Sequence, residues 1–204
     1  MSRQNRRMER PREQVLTAAL EMVAEHGLAK VTMAALAARL GTSGGHLLYY
    51  FGTRDGLLLE TLRWSEAAYA VQRAPVVEAA TAAGEQAGIA AVVEFADVYL
   101  PVDDRDPRWQ LWLELWARAP RQPQLAEAQR EIDVEWHEDL VRLLRRALPR
   151  LADPEGTSER LRAMWDGMAV GIVTGGGRTL RSAALDHTAV AVADAAGAAA
   201  LRTT

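Results

Sequence analysis

The sequence predicts an all-α protein, with a three-helix segment at the N-terminus that contains a helix-turn-helix and a longer helical region behind it. Apolar residues recur at spacings of three and four through most of the chain, which is the period of an amphipathic helix. No segment shows the alternation with period two that a half-buried strand requires. Glycine and proline divide the pattern into about nine helices. We place the boundary between two domains at residue 53, giving the ranges 1–53 and 54–204.

The first helix is predicted from Pro11 to about His26, because proline is tolerated in a first helical turn and a glycine follows His26. Its predicted apolar face consists of Val15, Leu16, Ala19, Leu20, Val23 and Ala24. Ahead of it, residues 1–10 form an arginine-rich arm.

A helix-turn-helix is predicted between Thr32 and Tyr50. Thr32 is a suitable N-cap for a helix that ends at Leu40, and Ser43 is a suitable N-cap for the next one. Gly41 can adopt the positive φ that ends the first of these helices. Small and apolar side chains allow two helices to cross closely, and here they are Leu36, Ala37, Leu40 and Leu47.

Prolines and capping residues divide the rest of the chain. The fourth helix is predicted from about Thr53 to Ala74, because Pro75 lacks the backbone N–H that a helix interior needs. A fifth helix contains the segment AAVVEFADVYL. The later helices are predicted to start at Asp106 with Pro107, at Pro123, at Asp153 with Pro154, and at Asp186 as the N-cap of a last helix that ends at Leu201.

The composition is that of an ordinary globular protein, with 49% hydrophobic and 25% charged residues. The sequence has no cysteine, which excludes disulfides and thiolate metal sites and fits the cytoplasm, where we expect the protein to act. No apolar run approaches the roughly 20 residues that span a membrane, so no membrane partner is expected. The net charge is −3, yet residues 1–60 carry 8 basic and 6 acidic groups. This asymmetry favours a protein that contacts nucleic acid at one end.

A specific set of residues occupies the N-terminal segment, from about residue 11 to residue 60. It comprises Thr32, Leu36, Ala37, Leu40, Gly41, Ser43, Gly45, Leu47, Tyr50, Phe51, Thr53, Arg54, Asp55 and Leu57. The set resembles the N-terminal pattern of the TetR family of one-component transcriptional regulators. The sequence departs from that pattern where Thr42 replaces the usual Val, Leu48 the usual Tyr and Arg54 the usual Lys.

The resemblance implies that the third helix lies in the major groove of double-stranded DNA. By position, Gly44, Gly45 and His46 then face the bases. The residues expected at or near the DNA backbone are Thr32, Ser43, Leu48, Tyr49, Tyr50, Thr53 and Arg54. For Tyr50 the alternative is inward packing between the first and third helices. The arm arginines Arg3, Arg6 and Arg7 either neutralise phosphates or enter a minor groove, or they belong to a solvated tail.

The predicted recognition helix contains no Arg, Lys, Asn or Gln, the side chains that most often bond two atoms of guanine or adenine. His46 is the only base-facing residue whose side chain can donate a hydrogen bond. The paired glycines either let the helix backbone approach DNA or are simply tolerated in a first helical turn. We therefore expect affinity to come largely from phosphates, and selectivity from His46, thymine methyl groups and DNA shape.

Small residues repeat near the C-terminus. They are Gly167, Gly171, Gly175, Ala189, Ala193, Ala196 and Gly197. In the TetR family the last two helices form a dimer interface, so the resemblance implies a homodimer that binds a palindromic operator. The alternative is that these faces pack within one chain.

Aromatic residues concentrate in the region after residue 90. A candidate effector pocket consists of Phe95, Tyr99, Trp112, Trp116, Trp136, Met164 and Trp165. Aromatic walls near acidic groups suit an apolar or cationic effector, and the arrangement loosely resembles the choline-responsive, BetI-like subset of the family. The alternative is that these side chains are structural core.

These features together predict a homodimeric repressor that a small-molecule effector releases from a palindromic operator. An activator or a ligand-independent regulator of the same family stays open, and an α-helical enzyme or binding protein is the alternative from another class. We find no Ser–His–Asp set, paired-carboxylate motif or metal-ligand spacing. No catalytic residue, cofactor or metal site is therefore expected.

Overall fold

The computed structural model describes residues 12–200. The arm arginines Arg3, Arg6 and Arg7 lie outside the described residues. Within residues 12–200 no helix is long and apolar enough to cross a membrane.

The described part of the chain folds into nine α-helices and no strand, which confirms the all-α prediction. They are α1 (Arg12–His26), α2 (Met33–Leu40), α3 (Gly44–Phe51), α4 (Arg54–Ala83), α5 (Gly88–Tyr99), α6 (Pro107–Arg118), α7 (Pro123–Ala147), α8 (Pro154–Gly171) and α9 (Gly177–Ala200).

The helices group into two compact units. The head unit comprises the chain up to Glu66 together with Arg105–Ala126, and the body unit comprises Ala67–Asp104 and the chain from Glu127 onward. The head is therefore discontinuous in sequence, unlike the domain predicted to end at residue 53. The reason is that α6 packs on α1 and buries Leu111 and Leu115 within the head.

Local hydrogen bonds form the helix-turn-helix as the sequence predicts. Thr32 Oγ1 accepts a bond from the Ala35 amide at 3.1 Å, and Ser43 Oγ accepts one from the His46 amide at 3.1 Å. Gly41 lies in the left-handed region, with φ of 63°. The helix crossing buries four side chains almost completely, namely Leu36, Ala37, Leu40 and Leu47.

The buried face of α1 differs in part from the prediction. The residues that it buries are Val15, Leu16, Ala18, Ala19, Met22 and Val23. Leu20 is only half-buried and Ala24 is exposed. Because α1 packs against both α2 and α6, its buried surface is wider and turned toward Ala18 and Met22.

The start of α4 approaches the end of α3 very closely. A Cβ atom at Gly56 would lie 2.4 Å from the Phe51 carbonyl oxygen, so only glycine fits this position. Thr53 Oγ1 accepts a hydrogen bond from the Gly56 amide at 3.0 Å and thus caps α4. These contacts fix where the fourth helix starts relative to the recognition helix.

The prediction that Pro75 ends the fourth helix was wrong. Pro75 lies exposed inside α4, which continues to Ala83. Proline removes one backbone hydrogen bond, but the following turns bury Val76, Val77 and Ala80. Burial of this apolar face outweighs the lost bond.

The prediction that Asp186 starts the last helix was also wrong. The helix begins at Gly177, and Asp186 lies exposed in its interior. A short π-helical turn with a kink at Gly175, where φ is 134°, joins α8 to α9. The residues between Gly177 and Asp186 were not predicted to be helical. Within them Ala184 is fully buried, and this packing holds the segment in the helix.

Candidate nucleic-acid interface

Helix α3, the predicted recognition helix, has one buried and one exposed face. Leu47 and Phe51 are buried, with 1% and 7% of their surface exposed. On the other face, 82% of the Tyr49 surface and nearly half of the Leu48 and Tyr50 surfaces are exposed. Tyr50 therefore does not pack inward; Leu47 and Phe51 fill that position. Exposed apolar surface concentrated on one short helix is typical of a binding surface.

The exposed rings of α3 support one another. The His46 and Tyr50 ring centroids are 4.9 Å apart, and those of Tyr50 and Tyr49 are 5.2 Å apart, both edge to face. Edge-to-face pairs of this kind are favourable. The rings thus form an ordered row from the first helical turn to the last.

Among residues 12–200, nothing packs against the paired glycines at the start of α3 in a way that requires glycine. A Cβ atom at Gly45 would meet nothing within 4 Å, and one at Gly44 would meet only the Met33 carbonyl oxygen at 4.0 Å. Packing against the described part of the chain therefore does not explain either glycine. Two explanations stay open: close approach of an external molecule and simple tolerance in the first turn.

Arg54, expected at phosphate, bonds to the protein backbone instead. Its Nε donates to the Val31 carbonyl at 2.7 Å and its Nη2 to the Leu28 carbonyl at 2.9 Å. The planar guanidinium thus binds two carbonyls of the segment between α1 and α2 from the first residue of α4. We call this two-carbonyl contact the Arg54 fork. It fixes the start of α2 relative to α4.

A chain of charged side chains extends from Arg54 to α6. Arg54 Nη1 lies 4.0 Å from Glu114 Oε1, and Glu114 accepts from Arg118 Nη1 at 3.2 Å. Arg118 Nη1 also donates to Asp55 Oδ1 at 2.6 Å. The hydrogen bond from Arg118 lowers the pKa of Asp55, and the same bond raises the pKa of Arg118. The network ties α6 to the first turn of α4.

Sequence reasoning missed this network and a second one at Arg39. Arg39 donates to Glu25 at 2.6 Å and to Glu21 at 2.9 Å, and its hydrogen bond lowers the pKa of Glu25. The available signal was the spacing of four between Glu21 and Glu25, which places both carboxylates on one face of α1. Arg39 thus pairs with both carboxylates and connects α2 to α1.

The residues of the candidate effector pocket divide between the units. Phe95, Tyr99, Trp136, Met164 and Trp165 lie in the body, whereas Trp112 and Trp116 lie in the head. In the head, Trp112 Nε1 donates to Glu66 at 2.7 Å, and the Trp112 and Trp116 centroids are 5.8 Å apart.

The body aromatics form a buried cluster. The Trp136 centroid lies 5.5 Å from that of Phe95 and 4.9 Å from that of Tyr99, and the Trp165 centroid lies 5.2 Å from that of Tyr99. The Tyr99 hydroxyl donates to Asp166 at 2.6 Å. Burial raises the pKa of Asp166 and is also the main cause of the raised pKa of Tyr99.

Arg73 covers the face of Trp136. Its guanidinium carbon lies 4.3 Å from the ring centroid, and only 3% of the side chain is exposed. Arg73 Nε donates to Asp139 at 2.6 Å and Nη2 to Glu135 at 3.3 Å. An aromatic face flanked by carboxylates is a cation site, and here the protein's own arginine occupies it.

The small residues of α8 and α9 have different environments. Gly167, Ala193 and Gly197 are exposed, and Ala189 and Ala196 are half-buried. A Cβ atom at Gly171 would lie 2.6 Å from Leu180 Cδ2 of the same chain, and Gly175 forms the kink described above. Two of the seven thus have a role within one chain, and the other five are exposed or half-buried.

Sequence comparisons cover both parts of the chain. Residues 15–61 match the family profile of bacterial regulatory proteins, tetR family, and residues 88–197 match that of the BetI-type transcriptional repressor, C-terminal. The HTH-type transcriptional regulator BetI of Burkholderia mallei is 31% identical over 163 residues, which cover 77% of this chain and 78% of the relative. The chain belongs to the TetR family. It is a DNA-binding transcriptional regulator, and this family consists of regulators rather than enzymes.

Solved structures agree on the fold of this TetR-family member. A protein from Saccharomonospora viridis, solved in complex with choline, superposes with a TM-score of 0.71 at 23% identity, covering 90% of this chain and 93% of that one. A TetR transcription regulator from Haloarcula marismortui superposes with a TM-score of 0.75 at 19% identity, covering 90% and 97%. The multidrug binding protein EbrR, complexed with malachite green, has a TM-score of 0.59 at 22% identity, covering 90% and 99%.

Because of the Arg54 fork, we expect Arg54→Lys to destabilise the protein, although lysine is usual at this position in the family. A single ammonium cannot reproduce the planar two-carbonyl contact, so we expect the free energy of unfolding to fall by about 1–2 kcal/mol. Urea denaturation measures this. Arg130→Lys is the matched control, because Arg130 forms an exposed pair with Glu127, and the substitution should change stability by less than about 0.5 kcal/mol. Equal stability of Arg54→Lys and the wild type would show that the fork is dispensable.

The Asp55–Arg118 pair predicts a pH-dependent effect of Asp55→Asn. Because the folded-state pKa of Asp55 is lowered, its ionised form stabilises the fold above the unfolded-state pKa of about 4, and this contribution is lost as the pH falls through the folded-state pKa. Asp55→Asn should therefore lower the Tm at neutral pH and have a much smaller effect in strong acid. Calorimetry across the acid range measures this, with the exposed Asp194→Asn as control. An effect of Asp55→Asn that is the same at every pH would contradict the assignment.

Proposed function

We propose that this regulator is a homodimeric repressor that binds a palindromic operator in the cytoplasm and is released by a small-molecule effector. The observation that carries the DNA-binding part is the exposed face of α3, where the open glycines stand beside an ordered row of rings. A repressor and an activator would use the same surface, and the BetI-type repressor profile over residues 88–197 favours the repressor.

In this proposal α3 binds the major groove with its first turn. Gly44 and Gly45 allow the backbone to approach the bases, and His46 supplies the one hydrogen-bonding side chain there. Leu48, Tyr49 and Tyr50 contact thymine methyl groups and phosphates. Three cap residues with exposed positions, Thr32, Ser43 and Thr53, add hydroxyls near helix N-termini, which favour anions.

Arg54 has a positioning role in the proposal rather than a direct phosphate contact. Its guanidinium is bound by the Leu28 and Val31 carbonyls, so it acts on DNA through the placement of α2 and α4. The arm residues Arg3, Arg6 and Arg7 supply the phosphate charge that α3 lacks. Removing residues 1–10 should then flatten the dependence of binding on salt.

Dimerisation is proposed through α8 and α9. The exposed small residues Gly167, Ala193 and Gly197, with half-buried Ala189 and Ala196, allow helices of two protomers to approach closely. Gly171 and Gly175 shape this surface through Leu180 and the kink. A two-fold dimer also places two recognition helices one DNA turn apart, about 34–36 Å.

The effector site is proposed in the body, at the cluster of Phe95, Tyr99, Trp136, Met164 and Trp165. Two structural neighbours were solved with organic cations, choline and malachite green. In this chain Arg73 already covers Trp136, so a cationic effector must displace it or bind beside it. Trp112 and Trp116, with the head contacts described above, are not part of the proposed site.

Footprinting on the DNA upstream of the protein's own gene, with Gly45→Ala, tests the DNA-binding proposal. The wild type should protect two adjacent major-groove segments, in binding that competitor DNA does not abolish. Because a Cβ atom at Gly45 would meet no described atom within 4 Å, Gly45→Ala should keep the stability or raise it by up to about 1 kcal/mol. Its operator affinity should nevertheless fall about tenfold or more, since the added methyl group meets the DNA.

His46→Ala separates base reading from phosphate binding in the same assay. It should reduce the preference for operator over competitor DNA and leave the salt dependence unchanged. Wild-type affinity in Gly45→Ala would show that the glycines are merely tolerated. Failure of the wild type to protect any upstream site would count against the repressor proposal itself.

Titrating choline into the full-length protein, followed by tryptophan fluorescence and operator binding, tests the effector site. Arg73→Met removes the cation from the Trp136 face, so choline should bind about tenfold or more tightly than to the wild type. Arg142→Met is the matched control, because Arg142 also pairs with Asp139, at 3.2 Å, without covering Trp136. The neutral isostere 3,3-dimethylbutanol separates cationic from apolar recognition. No gain in choline affinity on Arg73→Met would refute this site.

A further inference from the structure

The head contains a cavity of about 160 Å³ behind the recognition helix, separate from the effector site proposed in the body. Its floor is apolar and consists of the buried side chains Val15, Leu40, Leu47 and Phe51. Its rim is polar and consists of Arg12, Thr42, His46 and Tyr50. We propose that this cavity binds a small single-ring aromatic acid.

The size of the cavity selects the ring. Protein interiors leave few voids larger than a water molecule, and an apolar cavity of about 150 Å³ lined by aliphatic and aromatic residues binds benzene. One six-membered ring therefore fills this cavity, whereas a two-ring compound does not fit. The Phe51 ring and the aliphatic side chains of the floor supply the apolar surface that such a ring requires.

The rim selects an anionic substituent. The Arg12 guanidinium lies 5.1 Å from the Phe51 ring centroid, and its Nε and Nη2 both bond to Glu60. Among the described residues, this leaves the Nη1 group of Arg12 available to donate. His46 and the hydroxyls of Thr42 and Tyr50 can also donate, and no carboxylate is among the residues that line the cavity. A carboxylate on the ring therefore finds several donors, and the carboxylate nearest to the rim cation, that of Glu60, bonds to Arg12 without being among the described residues that line the cavity.

If α3 binds DNA as in the proposed function, a ligand in the cavity should weaken DNA binding. His46 and Tyr50 belong both to the rim and to the face of α3 that is proposed to contact DNA. A bound acid places negative charge beside that face and bonds to His46. The ligand therefore favours the DNA-free protein. It does so from a site beside the DNA-contacting face of α3, unlike an effector bound in the body.

A methyl NMR titration of the full-length, DNA-free protein with benzoate tests the proposal. Benzoate should shift the methyl resonances of Val15, Leu40 and Leu47 in a saturable way, with a dissociation constant roughly in the millimolar range that a ligand of this size reaches. Benzylamine, which has the same ring and the opposite charge, should bind about tenfold more weakly or worse. Val15→Phe fills the cavity and should abolish the benzoate shifts, whereas Val71→Phe, on the exposed surface of α4, should not.

A second variant keeps the test decisive if Val15→Phe does not fold. Thr42→Glu changes only a half-buried rim residue and should reverse the preference from benzoate to benzylamine. Shifts that are absent, that survive Val15→Phe in a folded protein, or that are equal for both compounds would overturn the proposal. So would occupation of the cavity by another part of this chain.

Operator binding is measured separately by fluorescence anisotropy. Saturating benzoate should weaken operator binding at least about threefold in the wild type and leave Val15→Phe unaffected. If the ligand-free protein binds no operator, the proposed function fails while the NMR result still decides the cavity. If benzoate binds the cavity but leaves operator affinity unchanged, the regulatory consequence is refuted and the binding site stands.

Discussion

The arrangement of helices in the head unit depends on the guanidinium of Arg54, which bonds to the protein backbone. Arg54 donates to two backbone carbonyls in a part-buried position, those of Leu28 and Val31, and the Leu28 carbonyl also accepts from the Val31 amide at 3.1 Å. Buried or part-buried carbonyls without partners are costly, and a lysine could bond only one well. The fork therefore fixes the start of α2 relative to α4, while the Gly56 contact fixes α4 relative to α3. Through Glu114 and Arg118 the same cation is connected to α6. The orientation of the recognition helix follows from these short polar contacts as much as from the apolar crossing beneath it.

Local chemistry explains which parts of the fold could be predicted. Caps such as Thr32 and Ser43 act within three residues, so sequence patterns identify them and the structure agrees. Pro75 and Asp186 were misjudged for the opposite reason, since distant apolar packing overrode a local breaker and a local cap. The candidate site shows the same division. That α3 carries the exposed chemistry was evident from its residues, whereas the partners of Arg54 are carbonyls 23 and 26 residues away. Because every residue has a backbone carbonyl, the residue types do not identify which carbonyls accept from Arg54.

The body shows how an aromatic cluster can serve as core and still indicate ligand chemistry. Its polar atoms are bonded internally, as with Tyr99 to Asp166 and Trp165 to Thr188, which is what a stable interior requires. Yet the arrangement of Arg73 on Trp136 has the geometry by which proteins bind organic cations. The protein thus places its own cation on this aromatic face, and a cationic effector at the proposed site must compete with a side chain present at very high effective concentration.

The discontinuous head has a consequence for building hybrid regulators. Exchange of DNA-binding segments between relatives treats the N-terminal residues as a portable cassette that can be joined to any C-terminal region. Here Leu58 and Leu62 of α4 line a common apolar space with Leu111 and Leu115 of α6, and buried Glu66 accepts from Trp112. If the grafted segment ended after α3 or within α4, the contacts between α4 and α6 would have to form between helices of two different proteins. The transplantable piece is therefore two separate stretches of chain, and a graft that keeps these contacts must carry α6 along with α1 to α4.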